Sequence, residues 1–153
     1  MQRFEFSLER LLQVKRQLER QAEQVQRRAR LAVEEAQAQV VCLRQQLQRL
    51  GEQLAGQVGC LLDGQQWATT VQLSDIYAQA LQGAEKRLAE AEEHYQRAAR
   101  LRLQLTQEVE ALQTLRHQHW EQWRQQRQKV DQERLDELGL RRWQAEQAEA
   151  AAT

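Results

Sequence analysis

Apolar side chains in the first part of the chain recur at Phe4, Leu8, Leu11, Leu18, Ala22, Val25, Ala29, Ala32 and Ala36, in alternating steps of four and three. Lys15 fills the one polar position of that series, where its aliphatic stem can run along a narrow apolar seam while the ammonium reaches water. Heptad spacing held over more than four repeats predicts a coiled-coil helix. Beyond Ala36 the series continues at Val40, Leu43, Leu47, Leu50 and Leu54, displaced by four residues. Such a slip predicts a stutter that locally unwinds a left-handed supercoil. The first helix is therefore expected over about 4–57. Ser7 is a possible cap for a helix that starts a turn late, although Arg10 stands where a capping box wants Glu.

The pattern then thins at Gly51, Gly56, Gly59 and Gly64, with Asp63-Gly64 as the best turn signal. Trp67, Thr69, Thr70 and Val71 are poor helix formers, so the turn is expected over about 58–71. Thr70 or Ser74 would cap a second helix over about 72–147. Its periodic positions are Tyr77, Ala80, Ala84, Leu88, Ala91, Tyr95, Ala98, Leu105, Val109, Leu112, His119, Trp123 and Val130. Two long amphipathic helices with one connection predict an all-α fold: a long antiparallel two-helix coiled-coil hairpin forming a single unit over 1–153. Residue i then opposes roughly residue 128 − i in a rod roughly 80 Å long. The second helix outruns the first from roughly Val130, leaving 133–143 as a helical overhang with no partner in the chain.

Composition agrees. Ala, Glu, Lys, Leu and Arg make up slightly over half of the 153 residues and proline is absent, a profile of long helices rather than a thick-cored globule. No apolar run approaches the roughly 20 residues of a membrane span, and acidic Glu5 and Glu9 break any signal-peptide pattern. The formal net charge is zero but unevenly spread. Residues 1–30 carry eight basic against four acidic side chains and 116–142 carry seven against five. The hairpin brings these together as an open end of charge +6, with an acidic turn half, so an acidic partner surface would meet the open end first.

Catalytic chemistry finds no footing. His117 and His119 are two apart on a helix and point away from one another, so they cannot chelate one ion, and His94 stands alone. Glu34-Glu35 and Glu92-Glu93 read as solvated helix-face charge. Cys42 and Cys60, roughly 25 Å apart along one helix, read as free thiols of a reducing compartment. There is no phosphate loop, metal-ligand run or Ser-His-Asp set, so neither enzyme activity, metal nor cofactor is expected. The basic clusters Arg27-Arg28 with Arg30 and Arg141-Arg142 are interleaved with acids, which argues against nucleic acid. Trp143 beside Arg141-Arg142, in the overhang, has the composition of an interface anchor.

The opening Phe4-Glu5-Phe6-Ser7-Leu8-Glu9-Arg10-Leu11-Leu12, followed by Lys15 and Glu19, resembles the F-x-F-x-L-x-x-L-L start of the flagellar FliJ proteins. The closing Asp131-Gln132-Glu133-Arg134-Leu135-Asp136-Glu137-Leu138, then Arg141-Arg142-Trp143, is similar to the C-terminal signature of the same family. The two ends fall in the right order and at the expected separation. The resemblance implies a soluble component of the flagellar type III export apparatus, similar in shape to the stalk subunit of rotary ATPases. It implies an open end that enters the hexameric export ATPase and stimulates it, through residues matching Phe4, Phe6, Leu8, Leu11, Leu135, Leu138, Arg141, Arg142 and Trp143. It further implies binding to the cytoplasmic domain of the export gate and escort of export chaperones nearer the turn. The matching positions there are Leu47, Leu50, Leu54, Tyr77, Leu81, Ala84 and Leu88, with leucine where several relatives carry tyrosine. Such a protein would be cytoplasmic, attached to the inner membrane only through the export apparatus, and monomeric when alone. Two rivals carry other expectations: the stalk protein of a virulence-type secretion system, and a structural coiled coil that dimerises in trans.

Overall fold

The structure, a computed structural model, describes residues 4–57, 59 and 63–151. Two helices account for almost all of them, α1 (Glu9–Gly56) and α2 (Gly64–Ala151), and no strand occurs among the described residues. The helices pack against each other as the all-α hairpin that the periodicity predicts. Cys60 lies outside the described residues, and Cys42 is a free, exposed thiol.

α1 begins at Glu9 rather than near residue 4. The Glu9 amide donates to the Phe6 carbonyl at 3.0 Å in a turn ahead of the helix. Residues 4–6 form no regular structure, because the side chains of Phe4 and Phe6 are used for packing instead. α2 begins about one heptad earlier than expected. Asp63 acts as its cap, its carbonyl accepting from the Trp67 amide at 3.2 Å and its carboxylate facing the Gln65 amide at 3.5 Å. The threonines that suggested a turn are accommodated in the helix. Thr69 donates its hydroxyl to the Gln65 carbonyl at 2.6 Å and Thr70 to that of Gln66 at 2.8 Å. The turn is thus confined to the stretch between Gly56 and Gly64, with Gly59 at a φ of 106° that other residues rarely adopt.

The chain divides into two compact units, residues 17–106 and residues 1–16 with 107–153. In the first, α1 presents Glu19, Ala22, Gln26, Ala29, Val33, Ala36, Val40, Leu43, Leu47, Leu50 and Leu54 as its buried or half-buried series. In the second, the corresponding positions are Leu8, just ahead of α1, and Leu12 and Lys15 on it. The spacing of four and three runs unbroken from Leu8 to Leu54, so the expected stutter is absent. Leu11, Leu18, Val25 and Ala32, read from sequence as seam residues, are exposed one position away from it. Lys15, Glu19 and Gln26 take seam positions because α2 supplies each with a polar partner. Lys15 pairs with Glu108 at 2.5 Å, the Thr106 hydroxyl donates to Glu19 at 2.7 Å, and Arg102 donates to Gln26 at 2.9 Å. The facing α2 series of the first unit, from Thr70 and Ser74 through Tyr77, Leu81, Ala84, Leu88, Ala91, Tyr95, Ala98, Arg102 and Leu105, keeps the same period.

Candidate functional site

In the unit of residues 1–16 and 107–153, the residues ahead of α1 lie back across α2. The Phe6 ring is 7% exposed and meets His119 edge-on, with centroids 5.6 Å apart. Phe4 tilts at 60° against Trp123 at 6.0 Å. Arg116 and Glu9 pair beside them at 3.0 Å. Leu8 is half-buried, Leu12 fully buried and Leu11 is 43% exposed. Of the four N-terminal residues the family resemblance marks as ATPase-facing, only Leu11 is therefore exposed; Phe6 is buried and Phe4 and Leu8 are half-buried. On α2, His117 stacks on Trp120 at 6.1 Å and the Arg124 guanidinium lies 5.5 Å over the same indole, while His117 also meets Glu121 at 3.3 Å. These contacts give the two histidines structural partners, and no described group of three His, Cys, Asp or Glu is placed to hold a metal.

From Gln128 to Ala150 every residue of α2 is exposed. That stretch carries Val130, Leu135, Leu138, Leu140 and Trp143, all well exposed. Leu135, Leu138 and Arg142, spaced three and four apart, share one face, and Leu140 and Trp143 lie on the other side of the helix. Arg141 is held to Glu137 at 2.7 Å, whereas Arg142 pairs with no described residue. Single exposed leucines are ordinary; here five large apolar side chains and an arginine with no described partner stand exposed within about four helical turns.

The seven residues matched to gate and chaperone binding sit differently. Leu47, Leu50 and Leu54 on α1, and Tyr77, Leu81 and Leu88 on α2, are half-buried, and Ala84 is 1% exposed. All seven occupy the heptad series that faces the other helix. The exposed apolar residues of this end are others: Trp67, Val71, Leu73 and Ile76, the last 61% exposed. Sequence reasoning passed over them because the first two fell in the expected turn and the last two lie off the seam period. The available signal was Ile76 itself, a β-branched apolar residue one position out of phase.

The described residues form a two-helix hairpin whose second helix carries large apolar side chains exposed beyond the seam. No described helix is long and apolar enough to cross a membrane. The family described as "Flagellar FliJ protein" matches residues 4–148, nearly the whole chain, and the chain belongs to that family. It is accordingly a non-enzymatic component of flagellar protein export. Among curated proteins and solved structures none matches significantly.

Proposed function

We propose that the protein couples to the hexameric export ATPase by inserting the end formed by residues 4–16 and 107–151 into the ring and stimulating ATP hydrolysis. The observation that carries this reading is the helix of residues 128–150, exposed on every side and armed with Leu135, Leu138, Leu140, Arg142 and Trp143. In this reading those residues and Leu11 touch the ring, while Phe4 and Phe6 hold the segment ahead of α1 against α2 near the base of the extension. A symmetric ring around an asymmetric rod meets a different surface at each subunit, which biases the order in which subunits hydrolyse.

The cytoplasmic domain of the export gate and the export chaperones are the second set of proposed partners, met nearer the turn. The exposed Trp67, Leu73 and Ile76 provide that contact, with Leu47, Leu50, Leu54, Tyr77, Leu81, Ala84 and Leu88 shaping the seam beneath. Attachment to the cytoplasmic face of the inner membrane follows from these partners rather than from lipid.

The test is ATP turnover by the cognate ATPase as the full chain, or a 1–130 truncation, is titrated in. Stimulation by the full chain alone supports the reading. Full stimulation by the truncation, or none by either at concentrations where the ring is assembled, overturns it. A chain that acted instead as a trans-dimerising scaffold would sediment as a concentration-dependent dimer and leave turnover unchanged.

A further inference from the structure

The two flanks of the seam in the unit of residues 17–106 are unlike. Glu23 and Arg44 on α1 lie three heptads apart on one flank, as do Glu85 and Thr106 on α2. Cross-helix polar contacts on that flank and in the seam are Arg44 with Glu85 at 2.7 Å, Thr106 with Glu19 at 2.7 Å, and Arg102 with Gln26 at 2.9 Å and Glu23 at 3.8 Å. The opposite flank carries Leu18, Val25 and Ala32 on α1, one heptad apart, and Arg87, His94 and Leu101 on α2, also one heptad apart. Leu18, Val25 and Leu101 are 39%, 43% and 52% exposed. None of the contacts just named lies on this side.

Alanines in the seam leave a hollow beside it. Val25, Ala29, Ala32 and Ala91 floor a groove of about 560 Å³ between the helices, walled by Arg28 on α1 and Arg87 on α2. Neither arginine forms an ion pair or hydrogen bond with any described residue; Glu90 is the one acid on the groove's edge. Leu18, Val25 and Ala32 at heptad spacing on α1, with Ala91 and Leu101 across from them on α2, offer an apolar track for the ridge of a third helix. Two unengaged guanidiniums ask for carboxylates on that helix. A second copy of this face would bring its own arginines against them.

We propose that this flank docks an acidic amphipathic helix of another protein, which completes a three-helix bundle along α1 and α2. The ATPase reading makes no use of this surface and does not depend on it.

The probe is a helical peptide of about 21 residues, three heptads, with leucine and alanine on its seam face and glutamate on both flanks. Its counterpart carries lysine for each glutamate. Titrated against the full-length chain by fluorescence anisotropy, the glutamate peptide binds at least about tenfold more tightly, two exposed pairs having turned from attraction to repulsion in the other. Val25→Glu with Leu101→Glu removes binding while circular dichroism stays unchanged, both side chains being exposed. Arg28→Glu with Arg87→Glu inverts the preference to the lysine peptide. Binding of neither peptide, equal binding of both, or a preference that survives the double reversal overturns the proposal. So does a dimer of this chain that Val25→Glu dissolves, since a second copy would then be the occupant.

Discussion

Alanine at position 12 is expected to cost several times more than alanine at position 11. Leu12 is 0% exposed and is the largest fully buried side chain described, whereas its neighbour Leu11 is 43% exposed. Truncating a fully buried leucine costs about 2–5 kcal/mol, a transfer term plus a cavity term. A two-helix seam collapses onto a gap more readily than a closed core does, which places Leu12→Ala near 3 kcal/mol, about the lower half of that range. Leu11 already has nearly half its surface in water and leaves no enclosed cavity, so the area term alone applies, about 1 kcal/mol. For a chain of this size 1 kcal/mol moves the melting midpoint by about 2–4 °C, giving losses of about 6–12 °C and about 2–4 °C. Thermal melts followed at 222 nm, with urea titrations alongside, read both. Equal losses, or the larger one at Leu11, would place Leu11 in the seam. The unbroken heptad register would then be refuted, and with it the exposure of Leu18 and Val25 on which the docking surface rests.

Three further outcomes follow from the same geometry. Replacing Lys15 and Glu108 together by leucine should raise stability by about 1 kcal/mol, because a half-buried pair exchanged for packed apolar groups is often stabilising; a lower urea midpoint contradicts this. Asp63→Ala should cost about 1 kcal/mol through loss of the cap and speed amide exchange at Gln65, whose amide faces the Asp63 carboxylate. Unchanged exchange there would mean that α2 is not started by Asp63. Ile76→Asp should abolish binding to the export gate domain with the melting curve unmoved, whereas Leu50→Asp should lower the melting midpoint by burying a charge. Loss of binding from neither would sink the surface proposed near the turn.

The hairpin was legible because two periodic stretches and one break admit little else, and the antiparallel pairing followed from that break. The register was not. Leu11, Leu18, Val25 and Ala32 recur at the same heptad interval as the true seam, so α1 taken alone offers two parallel solutions. The more apolar one is the wrong one, since the deciding information sits on α2. There Glu108, Thr106 and Arg102 supply partners that make Lys15, Glu19 and Gln26 acceptable inside. The start of α2 was hidden for a related reason. Propensity counts Thr69 and Thr70 against a helix, but their hydroxyls bond the carbonyls one turn back. Of the site, the overhang was plain from length alone. The bracing role of Phe4 and Phe6 was not, because an aromatic ahead of a helix reads equally as an anchor for a partner or for its own chain.

The polar seam contacts cluster between residues 15 and 26 on α1 and between 102 and 108 on α2, next to the alanine layers. That placement has a physical logic. Where the small Ala22, Ala29 and Ala36 line the α1 seam, sliding one helix by a heptad exchanges one alanine for another on that helix and costs little. A slip that separates Lys15 from Glu108, or Glu19 from Thr106, strands half-buried polar groups, and each costs more than the pair contributes when formed. The pairs therefore act against misalignment more than for stability. A thin seam with fixed register leaves apolar surface free on one flank and along the extension of α2. Those exposed faces, more than the hairpin's own core, are what an export component has to offer its partners.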